Sequence, residues 1–177
     1  MKVIGTFGEL RSNHFHGGLD IKGPVGQTLY AVAKGYISRI KIEKGGYGKA
    51  LYINHPNGYT RVYAHVEKFT PEVEAYVKRQ QTSLKKFEVN LYPKAGQFSY
   101  EKGAMVGKMG MRGYAFGPHL HFEIRETKSE KPVNPLLFGL NYQDDVKPRL
   151  HLLKVYALNP KHQTLFTKSF NLINNRD

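Results

Sequence analysis

Apolar positions along this chain mostly recur with a period of two and are interrupted by glycine at short intervals. Thr28 to Ala33 leads through Lys34-Gly35 into Tyr36-Ile37-Ser38-Arg39-Ile40-Lys41-Ile42. Strict alternation there puts Ile37, Arg39 and Lys41 on one face and Tyr36, Ser38, Ile40 and Ile42 on the other. Gly45-Gly46-Tyr47-Gly48 turns the chain into Ala50 to His55, with Tyr47 and Gly48 shaping the turn and His55 closing the strand. Pro56-Asn57-Gly58 is a hairpin signal before Tyr59 to Val66, where alternation groups Arg61, Tyr63 and His65. Short strands at this spacing, joined by glycine turns, predict a mainly β (β-rich α+β) chain built on antiparallel sheet.

The period changes once. Thr70-Pro71-Glu72 has the residue types of a helix start, with Pro at the first helical position and acidic residues toward the positive end of the helix. Val73, Tyr76, Val77, Leu84 and Phe87 follow at helical spacing, which predicts one amphipathic helix over about 71–86 with a core-facing stripe. Strand pattern resumes at Ala104 to Met109. Gly110, Gly113 and Gly117 then punctuate a loop into Gly117-Pro118-His119-Leu120-His121-Phe122-Glu123-Ile124. Beyond Pro135 to Gly139 a polar connector, 141–147, precedes two more strand-like runs, Leu150 to Leu158 and Thr164 to Ile173. The expected division is a main domain, 1–140, and a C-terminal β extension, 141–177. A lone hairpin is marginal, so the extension either packs on the main domain or begins a second domain truncated at Asp177.

Composition narrows the chemistry. At 177 residues the chain can bury one real core with a small appendage. Cysteine is absent, so disulfides and thiolate metal sites are excluded and any zinc site must use His, Asp or Glu. A net charge of +13 argues for an anionic partner: nucleic acid, a lipid surface or acidic cell-wall polymer. The basic residues form no block longer than two, which speaks against a nucleic-acid arm. No apolar run approaches the roughly 18 residues of a membrane span. Met1 to Gly5 has no apolar core or cleavage site behind it, so no signal peptide is expected. The chain then either stays inside the cell or lacks its leader.

Candidate chemistry lies at three places. On a strand, His119 and His121 share a face with Cα atoms about 6.6–7 Å apart, a spacing for one metal ligand and one neighbour acting on what the metal binds. The plainer alternative is two surface histidines. His16 and Asp20 are four apart, but Gly17-Gly18 argues against a helix. Fully extended, they would lie about 13 Å apart, too far to share an ion. The glycine pair permits a bend or bulge that brings them together. Capping of the local turn, or a structural hydrogen bond to Asp20, are the alternatives for His16. His65 is a third candidate, with a structural role as its alternative.

In this order, His16-x-x-x-Asp20, Tyr63-Ala64-His65 and Gly117-Pro118-His119-Leu120-His121 resemble the lysostaphin/LytM-type zinc metallopeptidases, the duplicated-hybrid-motif peptidoglycan endopeptidases. The resemblance runs from about Gly5 to Leu140 and includes Gly35-Tyr36-Ile37, Gly58-Tyr59 and the Phe122-Glu123 that follows His121. It implies an antiparallel half-barrel with the zinc site in a groove. It also implies His16, Asp20 and His121 as zinc ligands, and His65 and His119 as a catalytic pair. The implied activity is zinc-dependent endopeptidase cleavage of peptidoglycan peptide cross-links in the cell envelope or periplasm, with a wall peptide and no nucleic acid as partner. The alternative is a non-catalytic LytM-like module that binds wall or activates another enzyme. Degenerate members lose ligands or catalytic histidines, whereas this chain keeps all five residues. Two departures stand out: an insertion over about 69–98 carrying the predicted helix, and bulky residues in Gly110 to Phe116 where the family loop is small. The insertion would shape the groove or lean on a further domain missing from this chain. Arg11 and Asn13 would border the cleft.

Overall fold

In the computed structural model, residues 2–140, 142 and 152–171 are described. The chain divides into two compact units, Met1–Tyr142 and Gln143–Asp177. The first unit begins with β1 (Val3–Gly5), β2 (Leu19–Lys22), β3 (Thr28–Tyr30), β4 (Gly35–Ile42), β5 (Lys49–Asn54), β6 (Tyr59–Ala64) and β7 (Val66–Phe69). Helix α1 (Pro71–Leu84) follows, then β8 (Val89–Leu91), β9 (Ser99–Tyr100), β10 (Met105–Met109), β11 (His119–Glu126), β12 (Pro132–Val133) and a 3-10 turn, Pro135–Phe138. The second unit is a hairpin of β13 (Leu152–Leu158) and β14 (Thr164–Asn171). The predicted strand residues Leu150, His151, Leu172 and Ile173 lie outside the described residues.

The first unit is a mainly antiparallel β structure. Its large sheet runs β1-β2-β11-β6-β5-β4-β8, with β12 added to β11 and β9 to β4, and a small sheet runs β3-β10-β7. The core is apolar surface that these strands remove from water together. Ile37, Ile40, Leu51, Ile53, Tyr63, Leu120, Phe122 and Ile124 from the large sheet meet Leu29, Val66, Phe69, Val106 and Met109 from the small one. The opposite face of the large sheet carries a second buried group, Ala50, Tyr52, Val62 and Ala64, with Tyr47 against it. Functional side chains collect on that second face.

Two local distortions overturn strict alternation. In β4 the register skips between Ile37, opposite Ile53, and Arg39, opposite Tyr52. The bulged residue shifts the parity, so Ile37 joins Ile40 and Ile42 in the core and does not share a face with Arg39 and Lys41. In β6, Tyr63 points into the core and donates its hydroxyl to the Tyr30 carbonyl. Continued alternation would bury His65 beside it. Instead His65 adopts a left-handed backbone, φ 58°, between β6 and β7, and its ring emerges on the other side against His119. A left-handed histidine is uncommon and costs backbone energy that the surrounding contacts must offset.

Helix α1 begins at Pro71 as the sequence predicts, with Glu72 and Glu74 in its first turn. Thr70 has the extended backbone of an N-cap, but its hydroxyl bonds to Glu72 and makes no cap bond. The helix ends at Leu84 because Lys85 turns left-handed, φ 52°. Val73 and Val77 are buried, whereas Leu84 and Phe87 stay exposed, so the packed stripe is shorter than its periodicity predicts.

The strand pair that carries the site has little room. A Cβ on Gly18 would lie 2.3 Å from the Phe122 carbonyl oxygen and 2.8 Å from Glu123 Cγ. Backbone cannot give way as a flexible side-chain end would, so Gly18→Ala must push β2 off β11. Overpacking of this kind costs about 1–3 kcal/mol. Urea unfolding of Gly18→Ala should show a loss in that range, and an unchanged midpoint would contradict the packing described.

Candidate metal centre

Strand register assembles the first two donors. In the β2–β11 pair His121 lies opposite Asp20 and Phe122 opposite Leu19. Leu19 and Phe122 therefore face the core together, while Asp20 and His121 share the other face. His16 arrives from the loop before β2. Backbone bonds from Gly8 N to His16 O and from His16 N to Glu9 O, both 2.8 Å, hold that loop. Gly17 and Gly18 keep negative φ, so their contribution is close approach to β11 and not left-handed backbone.

Hydrogen-bond partners decide which ring nitrogens carry protons. A carbonyl oxygen only accepts. His16 Nδ1 lies 2.8 Å from the Thr6 carbonyl, so Nδ1 is protonated and Nε2 presents a lone pair. His121 Nε2 lies 2.7 Å from Glu123 Oε1. Burial alone would raise Glu123, but hydrogen bonds from His121 and Arg125 hold it down at about 2, so it is ionised and accepts from Nε2. His121 Nδ1 is then the ring atom left to face His16 and Asp20.

Three acceptors converge. His16 Nε2 and His121 Nδ1 are 2.9 Å apart, and Asp20 Oδ1 lies 3.1 and 3.0 Å from them. One donor atom from each falls within 4.8 Å of the others, and all three residues are buried. A proton can bridge two such atoms at a time, whereas a cation between them engages all three. Ligand atoms at about 2.0–2.1 Å from a tetrahedral zinc lie roughly 3.3 Å apart, close to these separations. The donor set therefore fits zinc. The local field favours a cation here: burial opposes charge on His121, yet Asp20 and Glu123 raise it to about 9. Burial likewise pushes the Asp20 carboxyl up, but His121 and His16 beside it hold it far below the usual carboxylate range. Asp20 Oδ2 also accepts from Arg11 at 3.0 Å.

The remaining two sequence-predicted residues stand beside this group. His119 Nδ1 donates to Gly117 O at 2.8 Å, and its Nε2 lies 3.6 Å from Asp20 Oδ1. His65 Nδ1 donates to Arg112 O at 2.6 Å, and its ring centroid is 4.6 Å from that of His119. Burial, the largest influence, lowers His65 to about 4, which leaves a neutral imidazole with Nε2 free. The Arg112 carbonyl is held from both sides. Its guanidinium pairs with Glu67 at 2.6 and 3.0 Å. Gly48 and Gly113 let the two loops touch, since a Cβ on Gly48 would fall 2.4 Å from the Arg112 carbonyl carbon. All five predicted residues line one groove of about 1080 Å³, together with Arg11, Asn13, Tyr114 and Phe116.

Three further side chains bonded to this group lie outside that prediction. Glu123, 1% exposed, supports His121 and is itself gripped by Arg125 Nε at 2.6 Å. The Tyr47 hydroxyl donates to Glu123 Oε1 and accepts from Arg125 at 3.0 Å, while its ring stacks on His121 at 5.2 Å. Tyr47, read from sequence only as shaping a turn, thus belongs to the site. Alternation carried the signal for two of the three: His119, His121, Glu123 and Arg125 are spaced by two on one strand, and a charged residue amid Phe122 and Ile124 needs a partner. Tyr47 had no such signal, because its loop position says nothing about the strand it covers.

Residues 14–82 match Peptidase family M23. Over 131 residues, 74% of this chain and 24% of the relative, the chain is 32% identical to a Neisseria meningitidis protein named DD-carboxypeptidase/endopeptidase Mpg. Over 137 residues, 77% of this chain and 29% of the relative, it is 35% identical to Escherichia coli murein hydrolase activator NlpD. It thus spans about a quarter of the length of these curated relatives. The fold is similar to the catalytic domain of the prophage-encoded M23 protein EnpA from Enterococcus faecalis, with a TM-score of 0.57 at 21% identity, over 77% of this chain and 90% of that one. The chain therefore carries a domain of peptidase family M23.

Proposed function

We propose that this domain is a zinc-dependent endopeptidase that hydrolyses peptide cross-links of bacterial peptidoglycan in the cell envelope. The observation that carries the reading is the convergence of three potential ligand atoms, His16 Nε2, His121 Nδ1 and Asp20 Oδ1, within 3.1 Å of one another. These residues would hold the ion. When bound, zinc supplies Lewis acidity that polarises a scissile carbonyl and acidifies a water molecule. His65, neutral and with Nδ1 committed to a carbonyl, offers Nε2 as the general base and returns the proton to the leaving amine. His119, whose Nδ1–H is likewise committed to a carbonyl, offers its Nε2 as a second proton acceptor on the same side of the cleft. The groove volume of about 1080 Å³ accommodates a peptide, and a net charge of +13 suits an anionic wall. Hydrolysis of a direct cross-link, D-Ala to a diamino acid, is supported by the name of the Neisseria relative.

The similarity to NlpD favours a second reading, a module that activates another murein hydrolase without hydrolysing anything itself. Purified peptidoglycan digested by zinc-loaded protein separates the two. Peptide cleavage is expected, and chelation or His121→Ala should abolish it; cleavage that survives both would sink the zinc mechanism. No cleavage by fully zinc-loaded protein would favour the activator.

The division of labour makes a separate prediction. His65→Ala and His119→Ala should retain one zinc per chain by elemental analysis while kcat/KM falls about 10²–10⁴-fold, the usual scale of general acid–base assistance. Loss of the metal from either variant would instead make that residue a ligand. Glu123→Gln keeps the size but loses the charge that orients His121, and its zinc affinity should drop about 10–100-fold in a chelator competition.

A further inference from the structure

A second, smaller concavity lies on the site-bearing face of the large sheet, further along β11. It measures about 140 Å³, and Arg39, Tyr52, Asn54, Tyr92, Arg125 and Glu130 are among its walls. Arg39 enters from β4, where the bulge that sends Ile37 to the core leaves Arg39 directly opposite Tyr52. The Arg39 guanidinium stacks on Tyr52 at 4.8 Å and on Tyr92 at 5.7 Å, and Arg125 lies over Tyr52 at 5.8 Å. Stacking holds both planar forks in place, so little further ordering is needed to bind an anion.

Both forks have donors to spare. Arg39 Nε donates to Asn90 at 2.7 Å, and Arg125 uses Nε on Glu123 and Nη2 on Tyr47. Among the described residues, neither Arg39 Nη1 nor Arg125 Nη1 makes a hydrogen bond. Both face the same carboxylate oxygen, Glu130 Oε2, at 4.0 and 3.9 Å. Those distances are ion pairs without hydrogen bonds. Glu130 is 65% exposed and sits on a turn with a left-handed backbone, φ 56°, so its hold on the arginines is weak and screened. Two guanidiniums about one loosely placed carboxylate form a carboxylate-binding geometry that the chain itself fills poorly.

We propose that this pocket binds the free C-terminal carboxylate of the peptide substrate, displacing Glu130. Spacing supports the choice of ligand. Arg125 follows His121 by four residues on one strand face, a separation of about 13 Å, which an extended peptide covers in roughly four residues. A chain passing over Tyr47, which covers Glu123 between the two places, with its carboxylate on Arg39 and Arg125 thus presents an internal peptide bond at the His16–Asp20–His121 group. The volume of about 140 Å³ suits a carboxylate with a small side chain. This inference takes its substrate from the peptidase reading above, but carboxylate binding itself does not depend on hydrolysis.

The test uses the full zinc-loaded chain and observes arginine Nε–H signals by NMR during titration with N-acetyl-D-alanine or its C-terminal amide. The acid should shift the Arg39 and Arg125 signals and the amide should not. Arg39→Gln should weaken the acid at least about tenfold, the scale of one lost charge-assisted hydrogen bond. Arg125 is left intact because it also grips Glu123. Glu130→Gln should tighten the acid severalfold, since it removes a competitor; a merely structural Glu130 would give no gain. Equal binding of acid and amide, or a Glu130→Gln variant that binds no more tightly, overturns the proposal. With a wall peptide, Arg39→Gln should raise KM and spare kcat. Acid-selective binding without any hydrolysis would refute the peptidase reading and keep the pocket, whereas hydrolysis without acid selectivity would do the reverse.

Discussion

The antiparallel register of β2 on β11 is the constraint on which the rest of the molecule depends. It sets Asp20 opposite His121 and Leu19 opposite Phe122. Side chains alternate with a period of two, so a slip of one residue would carry the carboxylate into the core and an apolar side chain into the groove. Core burial therefore enforces the polar geometry. Leu19 and Phe122 are 0% and 3% exposed, and the free energy of keeping them out of water also keeps Asp20 and His121 together. Gly18 permits the close strand contact, since β2 can approach the Phe122 carbonyl only without a side chain there.

A second level of organisation orients the rings once the strands are set. His16, His65 and His119 each give Nδ1–H to a backbone carbonyl, of Thr6, Arg112 and Gly117, and so keep Nε2 free. His121 is reversed: a buried carboxylate takes its Nε2–H and leaves Nδ1 free. Backbone carbonyls cannot be protonated or swing away as side chains do, which makes them durable tautomer locks. Glu123 is more delicate. Being 1% exposed, it tolerates its charge only because Arg125, Tyr47 and His121 all bond to it. Those same bonds run on to Arg125, so one polar network underlies both the metal-site groove and the Arg39–Arg125 pocket.

Much of this was legible in the chain. Period-two runs between glycine turns marked the strands, and Thr70-Pro71-Glu72 marked the helix start to the residue. The spacing of His119 and His121 placed them on one face, because alternation is a local property of extended backbone. The same alternation places Glu123 and Arg125 on that face, as the next two residues of the series.

What sequence alone could not settle is what depends on distant parts of the chain. Alternation failed at Ser38, where a bulge moved Ile37 into the core, and at His65, where a left-handed backbone turned the ring out of it. Both distortions are locally unfavourable and persist because packing across the sheet outweighs them. Tyr47 was invisible for a related reason: it lies 76 residues from the glutamate it bonds, and only the fold makes them neighbours. Sequence by itself determined which residue types were available, and which of them must share a strand face. Tertiary structure decided which nitrogens are free, which carboxylates are gripped, and where two arginines meet, since those follow from contacts between segments that no local pattern encodes.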